Sequence, residues 1–304
     1  MTRRGSHDPP IVVVLRSDLY TVEARAPARP AIRLPVHVEP QQGEALCSWL
    51  IRLGKRLALN PPDTANWAFA VDSYCRPDWW RRPAAAELAA IARKTGLTVD
   101  RVRNMTLAGW AEARNDERHG RFSASGFLRQ RARPAALRPL AMCGQCLASD
   151  DSPFIRTEWM IGWVAVCMKH RAVLATHCPN CGAALSLPGL NIRRHVVIGR
   201  CVRCERPLEG SHAEPARDAI CEMQARLLAV KRHGTGSLPG IGPIAWTTLI
   251  GLIDVVLSAI WRPRAQHARE RLFARVAPEE RLRIDWTSNY GAMLILAWLF
   301  ADWP

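Results

Sequence analysis

Four pairs of metal-ligand residues stand in order along the middle of the chain: Cys143 and Cys146, Cys167 and His170, Cys178 and Cys181, Cys201 and Cys204. Two residues separate the partners in each pair, so one tight turn can aim both side chains at a tetrahedral ion. The backbone N–H groups of such a turn are then free to hydrogen-bond the thiolate sulfurs. Glycine stands where these turns need it, at Gly144 inside the first pair and at Gly182 after the third. Pairing in sequence gives a site of three cysteines and one histidine whose pairs are 20 residues apart, then a four-cysteine site whose pairs are 19 apart. Both gaps lie at or near zinc-ribbon spacing, and their similarity favours two successive fingers. A cross-braced arrangement, first pair with third and second with fourth, is one alternative. A nested one would make the stretch CMKHRAVLATHCPNC, residues 167–181, a single site.

Four protein ligands per ion leave no open coordination position, so the expected chemistry is that of two structural zinc ions, not of catalysis at a metal. Zinc binding couples to folding by about 10–16 kcal/mol in finger peptides, enough to organise segments too small for a core of their own. The remaining candidates fall outside the spacing. His177 and His195 read as surface histidines or as hydrogen-bond partners of the ligands. Cys47 and Cys221 sit in amphipathic helical patterns, where a small buried hydrophobe is the default, and Cys75 has no paired cysteine nearby. His37-Val38-Glu39 with Cys178 and Cys181 bears a superficial likeness to a zinc deaminase signature, but His177 occupies the place where proline is expected. The sequence contains no phosphate-binding Gly-x-x-x-x-Gly-Lys loop, His-Glu-x-x-His run or nucleophile elbow. It reads as a non-enzyme.

The elements that must position these ligands follow from composition and periodicity. The chain has 304 residues, 48% of them hydrophobic, which suffices for two or three compact modules. A formal charge of +15, mostly arginine, calls for a polyanionic partner, nucleic acid first. No stretch has the length of a signal-peptide core or a membrane span, so a cytoplasmic protein without membrane attachment is expected, and its ten cysteines point to metal, not disulfides.

The expected fold is mainly α with small zinc-binding α+β modules. Residues 1–33 read as a mobile arm. Residues 34–140 read as a helical domain: an extended lead-in at His37-Val38-Glu39-Pro40, a first helix carrying Leu46, Trp49, Leu50, Leu53 and Leu57 and stopped by Asn60-Pro61-Pro62, then a helix-turn-helix over residues 83–108. In that unit Gly96 makes the turn, Thr98 caps a helix running to Leu107, and Leu88, Ile91, Ala92, Leu97, Val99, Val102 and Met105 form the core. Residues 141–210 hold the two tandem fingers. Residues 211–304 read as a helical bundle: a helix over residues 215–232, a linker opened by Gly234-Thr235-Gly236-Ser237, and helices over 246–261, 265–276 and 290–303 with Trp261, Trp286 and Trp298 available to the core.

The segment from CGQC through CMKH to CPNC and CVRC, with LPVHVEPQQGEALCSWLIRLG before it, resembles the TniQ/TnsD family of transposition proteins. The likeness covers residues 34–208. It implies a helix-turn-helix domain, two zinc fingers and a C-terminal helical domain. It also implies a non-catalytic adaptor that connects a target, either DNA or an RNA-guided CRISPR Cascade complex, to an AAA+ ATPase that recruits the transposase. A homodimer is a further expectation. The chain stops at Pro304 where longer relatives continue, which favours an adaptor over autonomous DNA reading. Arg101, Arg103 and Asn104 on the second helix of the helix-turn-helix, and Arg193, Arg194, Arg200 and Arg203 on the second finger, are the candidate nucleic-acid or partner contacts. An independent zinc and helix-turn-helix DNA-binding regulator is the alternative.

Overall fold

The structure, a computed structural model, describes residues 33–71, 83–111, 140–185, 197–210, 214–260, 271 and 289–301. These belong to one compact unit. The N-terminal arm up to residue 32, Cys75, Arg193, Arg194, His195, Trp261, Trp286 and nearly all of the helix expected over 265–276 lie outside the described residues. About half of the described residues are helical, and paired strands are confined to two short antiparallel hairpins.

Helix α1 (Leu46–Leu57) buries Leu46, Trp49, Leu50 and Leu53, the apolar face that its periodicity defines. No side chain caps its start. The Leu46 N–H donates instead to the Met105 carbonyl and the Ala45 N–H to the Ile155 carbonyl, both at 2.8 Å, so distant backbone satisfies groups a helix leaves open. The helix ends where Ala58 turns left-handed at φ 56°. Asn60-Pro61-Pro62, expected as the stop, opens the next element: Asn60 Oδ1 accepts the Asp63 N–H at 2.8 Å, and Pro61 heads helix α2 (Pro61–Asp63), where a missing N–H costs nothing. A π-helical turn (Thr64–Ala68) continues the chain against α1.

Gly54 makes that approach possible. A β-carbon there would lie 2.5 Å from Thr64 Oγ1 and 2.7 Å from the Leu59 carbonyl oxygen. Gly54→Ala is therefore expected to destabilise the protein by about 1–3 kcal/mol despite alanine's better helix propensity, read as a lower urea midpoint at unchanged slope.

Helices α3 (Ala85–Thr95) and α4 (Val99–Asn104) pack together across Gly96, which takes φ 79°, and Thr98 Oγ1 accepts the Arg101 N–H at 3.1 Å. Leu88, Ile91, Ala92 and Val102 are buried between them. Two expectations need correction. The second helix stops at Asn104, not Leu107, because the Thr106 hydroxyl donates to the Arg103 carbonyl at 2.7 Å and accepts the Ala108 N–H at 3.1 Å, opening α5 (Ala108–Ala111). Val99 is 37% exposed instead of core, since it stands at the first helical position while Val102, one turn on, takes the covered place. Residues 37–40 are extended but pair with no strand among the described residues. They are tied down by the Trp49 indole N–H, which donates to the Val38 carbonyl at 2.8 Å.

Helix α6 (Gly144–Ser149), a 3₁₀ turn (Thr157–Met160) and the hairpin β1 (Val166–Cys167) and β2 (Ala172–Val173) build the first finger. Beyond the fingers, α7 (Asp218–His233) starts later than residue 215, because residues 214–216 pair with the finger: the Val173 N–H donates to the Glu214 carbonyl and the Ala216 N–H to the Arg171 carbonyl, each at 2.8 Å. The expected linker at Gly234 is instead the hairpin β3 (Thr235–Leu238) and β4 (Gly242–Ala245), with Thr235 opposite Ala245 and Leu238 opposite Gly242. Gly236 lies so close to α7 that a β-carbon would sit 2.6 Å from Val230 Cγ2, which explains glycine within a strand. Helices α8 (Trp246–Ile260) and α9 (Asn289–Ala301) complete the described chain. Trp298, expected in the core, is 38% exposed; Ala292, Met293, Leu296 and Phe300 are the fully buried residues of α9.

One continuous core runs from α1 through the fingers to α9. Trp110, Trp163 and Trp246 meet in it with ring centroids 6.1–6.5 Å apart, joining α5, the first finger and α8, and Lys231 Nζ lies over two of the rings. No helix among the described residues is long and apolar enough to cross a membrane.

Candidate metal centres

The eight ligand residues gather into two sets: Cys143, Cys146, Cys167 and His170 in one, Cys178, Cys181, Cys201 and Cys204 in the other. Pairing is sequential, so the cross-braced and nested alternatives do not apply.

In the first set, His170 Nδ1 lies 3.4 Å from Cys143 Sγ, 3.3 Å from Cys146 Sγ and 3.5 Å from Cys167 Sγ, while Cys146 and Cys167 sulfurs are 3.5 Å apart. A tetrahedral zinc with ordinary Zn–S and Zn–N bonds demands edges of about 3.8 Å between sulfurs and about 3.6 Å from sulfur to nitrogen. In the second set the Cys178–Cys204 and Cys181–Cys201 sulfur distances are both 3.7 Å. Both donor sets fit zinc in type, number and spacing. Each would cross-link its two pairs and leave no position for a substrate.

The backbone explains how the pairs reach this geometry. Each of the last three pairs closes a tight turn, and the residue directly after its second ligand is left-handed: Arg171 at φ 49°, Gly182 at φ 66° and Glu205 at φ 58°. The N–H of His170 reaches Cys167, those of Asn180 and Cys181 reach Cys178, and that of Arg206 reaches Cys204. Burial works against the Cys178 thiolate, but these amides and its neighbours bring its pKa down to about 6. The first pair differs. Cys143 is the residue before α6 and Cys146 lies within it, so Gly144 is a helical residue and not the turn glycine that was expected. Hydrogen bonds from the Cys146 and Cys167 thiols hold Cys143 well below the ordinary thiol range, ready to bind as thiolate. Arg156 places positive charge near Cys146 and Cys167 and is itself fixed by a two-pronged pair with Asp150 at 3.0 and 2.8 Å.

The spacer of residues 171–177 is paired along its length: Cys167 faces Ala172 within the β1–β2 hairpin, Ala175 bridges Met142 ahead of the first pair, and His177 bridges Ala184 beyond the third. Both sites thus hang from one short ribbon. His177 is exposed, stands outside both ligand sets and lies 3.0 Å from the Thr176 hydroxyl. Cys47 and Cys221 are buried in α1 and α7, and burial pushes the Cys47 thiol up to about 12. Metal analysis is expected to give two zinc ions per chain, unchanged in Cys47→Ser; a ratio near one would overturn the two-site assignment.

Two polar clusters that the sequence did not reveal hold the first finger in place. Glu44, fully buried, accepts from the Gln41 N–H at 3.0 Å, the Ser48 hydroxyl at 2.8 Å and Arg52 Nη1 at 2.6 Å. The Ser48 oxygen in turn accepts the Ile155 N–H at 3.0 Å, and the Gly43 carbonyl accepts the Thr157 N–H at 2.8 Å. On the other flank, Gln224 of α7 is fully buried; its Oε1 accepts the Ala165 and Val166 N–H groups at 2.8 and 3.0 Å, and its Nε2 donates to the Val166 carbonyl at 2.8 Å. A glutamine amid Leu and Met on a helix is the one available signal for such a role.

The candidate contact residues are less uniform. Arg101 Nη2 donates to the Pro40 carbonyl at 3.0 Å, Arg103 lies 3.8 Å from Asp100, and Asn104 is exposed. Arg200 and Arg203 are both exposed on the second finger.

No curated protein matches the chain. Among protein families, TniQ matches residues 35–174, a span that begins at the lead-in to α1, takes in every ligand of the first site and ends before the second site starts. Over those residues the chain carries a TniQ domain, and that domain supports an association with transposition.

Proposed function

We propose that this protein is a non-catalytic adaptor in DNA transposition that links a target to an AAA+ ATPase and, through it, to the transposase. The observation that carries this reading is the TniQ match over residues 35–174, within which Gly43, Glu44, Ser48 and Trp49 all act to seat α1 against the lead-in and the first finger. Closed four-ligand sets support it, since two structural zinc ions would shape a platform and perform no reaction. The target is duplex DNA or an RNA-guided complex such as Cascade, and a homodimer would present two platforms to it.

In this reading α3 and α4 form the helix-turn-helix. Arg103 and Asn104 are its available contacts, because Arg101 is engaged with Pro40. A helix of six residues is about 9 Å long, short for major-groove reading, and this favours protein contact over base readout. The regulator alternative draws its support from the net charge of +15. The test is a pull-down with the zinc-loaded chain and a transposon-encoded AAA+ ATPase. Retention at moderate salt supports the adaptor; loss of the ATPase together with steep salt-dependent binding to random duplex supports the regulator.

A further inference from the structure

A cleft of about 150 Å³ opens on the second finger, and apart from Met142 its lining lies beyond the TniQ match. Its floor is apolar, formed by Met142, Leu185 and Leu208, each at most 5% exposed. Its rim carries Arg200, Val202 and Arg203. A space of ~150 Å³ lined by aliphatic side chains accommodates one benzene-sized apolar group. Among the described residues Arg203 has no ion-pair or hydrogen-bond partner, and Arg200 spends one guanidinium nitrogen on the Glu205 carbonyl at 3.0 Å without meeting a carboxylate. Val202 is 41% exposed beside them. Apolar floor, exposed apolar rim and uncompensated cations thus converge on one concave surface.

We infer that this cleft docks a short acidic peptide segment of a protein partner, with one leucine- or phenylalanine-sized side chain in the pocket and a flanking carboxylate on Arg200 and Arg203. Charge complementarity sets the occupant's sign, and the alternation of charge sets its class. Glu205 and Glu209 stand among Arg200, Arg203 and Arg206 on the exposed finger, so a row of phosphates would meet carboxylates where a single carboxylate would not. Among the residues forming the floor and rim none is aromatic, so a nucleobase finds no stacking partner while an aliphatic anchor finds matched walls. Arginine is also among the residues enriched at interface hot spots. This inference does not rest on the transposition reading and fails separately from it.

The test is selection of a random 12-residue phage-displayed library on the full-length zinc-loaded chain, followed by fluorescence anisotropy with the enriched peptides as synthetic labelled probes. Enriched sequences should pair Asp or Glu with Leu, Ile or Phe, and their affinity should fall at least tenfold in R200E/R203E with two zinc ions retained. Should that variant lose zinc, Val202→Glu at the exposed rim serves instead and should give the same loss. The inference is overturned if no acidic-apolar sequence is enriched, if the enriched peptides bind the variants equally, or if the variants lose only binding to a labelled 20-base-pair duplex.

Discussion

Cys167→Ser is expected to unfold much of the protein, whereas Cys181→Ser is expected to lose one zinc and leave the TniQ domain standing. Both substitutions remove one ligand of four, so a difference in outcome must come from the surroundings. Around the first site, Cys143 and Cys146 are 1% exposed and Cys167 is 4% exposed, within a core that continues into α1 and α7. The hairpin that presents Cys167 is held by Gln224 at Val166, and the loop that closes the site meets the lead-in to α1 at Gly43 and Ala45 and α1 itself at Ser48. Losing the ion there releases β1, α6 and the 3₁₀ turn together. A structural zinc contributes about 10–16 kcal/mol in finger peptides, against about 5–15 kcal/mol of stability for a whole domain. The second site is shallower: Cys181 and Cys204 are partly exposed, and Pro179, Asn180, Val202 and Arg203 around it face solvent. Its backbone ties to the rest are the Gly210 N–H, which donates to the Gly144 carbonyl at 3.1 Å, the Leu140 N–H, which donates to the Leu185 carbonyl, and the ribbon at His177 and Ala184. Zinc content should fall from two towards one or none in Cys167→Ser with loss of the cooperative thermal transition. In Cys181→Ser it should fall to one with that transition retained. Equal collapse of both variants would refute the asymmetry.

The ligands were legible in the sequence because each pair is local. Two intervening residues determine a turn whatever lies around it, and similar gaps of 20 and 19 residues favoured sequential pairing before any fold was known. The amphipathic face of α1, the glycine turn at Gly96 and the threonine cap at Thr98 were legible for the same reason. What the sequence concealed depends on partners far along the chain. Gly234-Thr235-Gly236-Ser237 has linker composition, yet it pairs as a strand because Gly236 fits against Val230 and the Leu238 side chain is buried. Asn60-Pro61-Pro62 reads as a stop because proline breaks helices, and α1 does end before it, but the same residues also begin a helix. Trp298 looked like core by hydropathy alone; α9 is apolar nearly all round, so periodicity could not tell which side faces out. Glu44 and Gln224 gave little sign of burial, since their partners lie in segments that only the tertiary fold brings near.

Glu44→Ala is expected to cost about 3–5 kcal/mol, the range for removing one partner of a buried ion pair. Burial pushes the Glu44 carboxyl up, and the Gln41 N–H, Arg52 and Ser48 pull it back. Alanine would strand all three donors at once. Among the described residues Arg52, whose side chain is only 20% exposed, would be left with just a marginal contact to the Glu39 carbonyl at 3.5 Å. Ser48 would keep the Ile155 N–H but lose the acceptor that orients its hydroxyl. The loss would therefore pass beyond α1 to Ile155, Arg156 and Thr157, and so to the loop that carries Arg156 towards the first site's thiolates. Glu44→Gln retains an acceptor and the side-chain volume but removes the charge opposite Arg52, so its cost should be smaller, about 1–3 kcal/mol. Urea denaturation of the zinc-loaded chain measures both, with the midpoint falling in the order wild type, Gln, Ala. Zinc release followed with a chromophoric chelator adds a readout that a purely local defect in α1 would not move: the first zinc should leave faster in Glu44→Ala, while the second leaves at the wild-type rate. If both ions leave at wild-type rates despite a lowered midpoint, Glu44 stabilises α1 alone and does not hold the first finger.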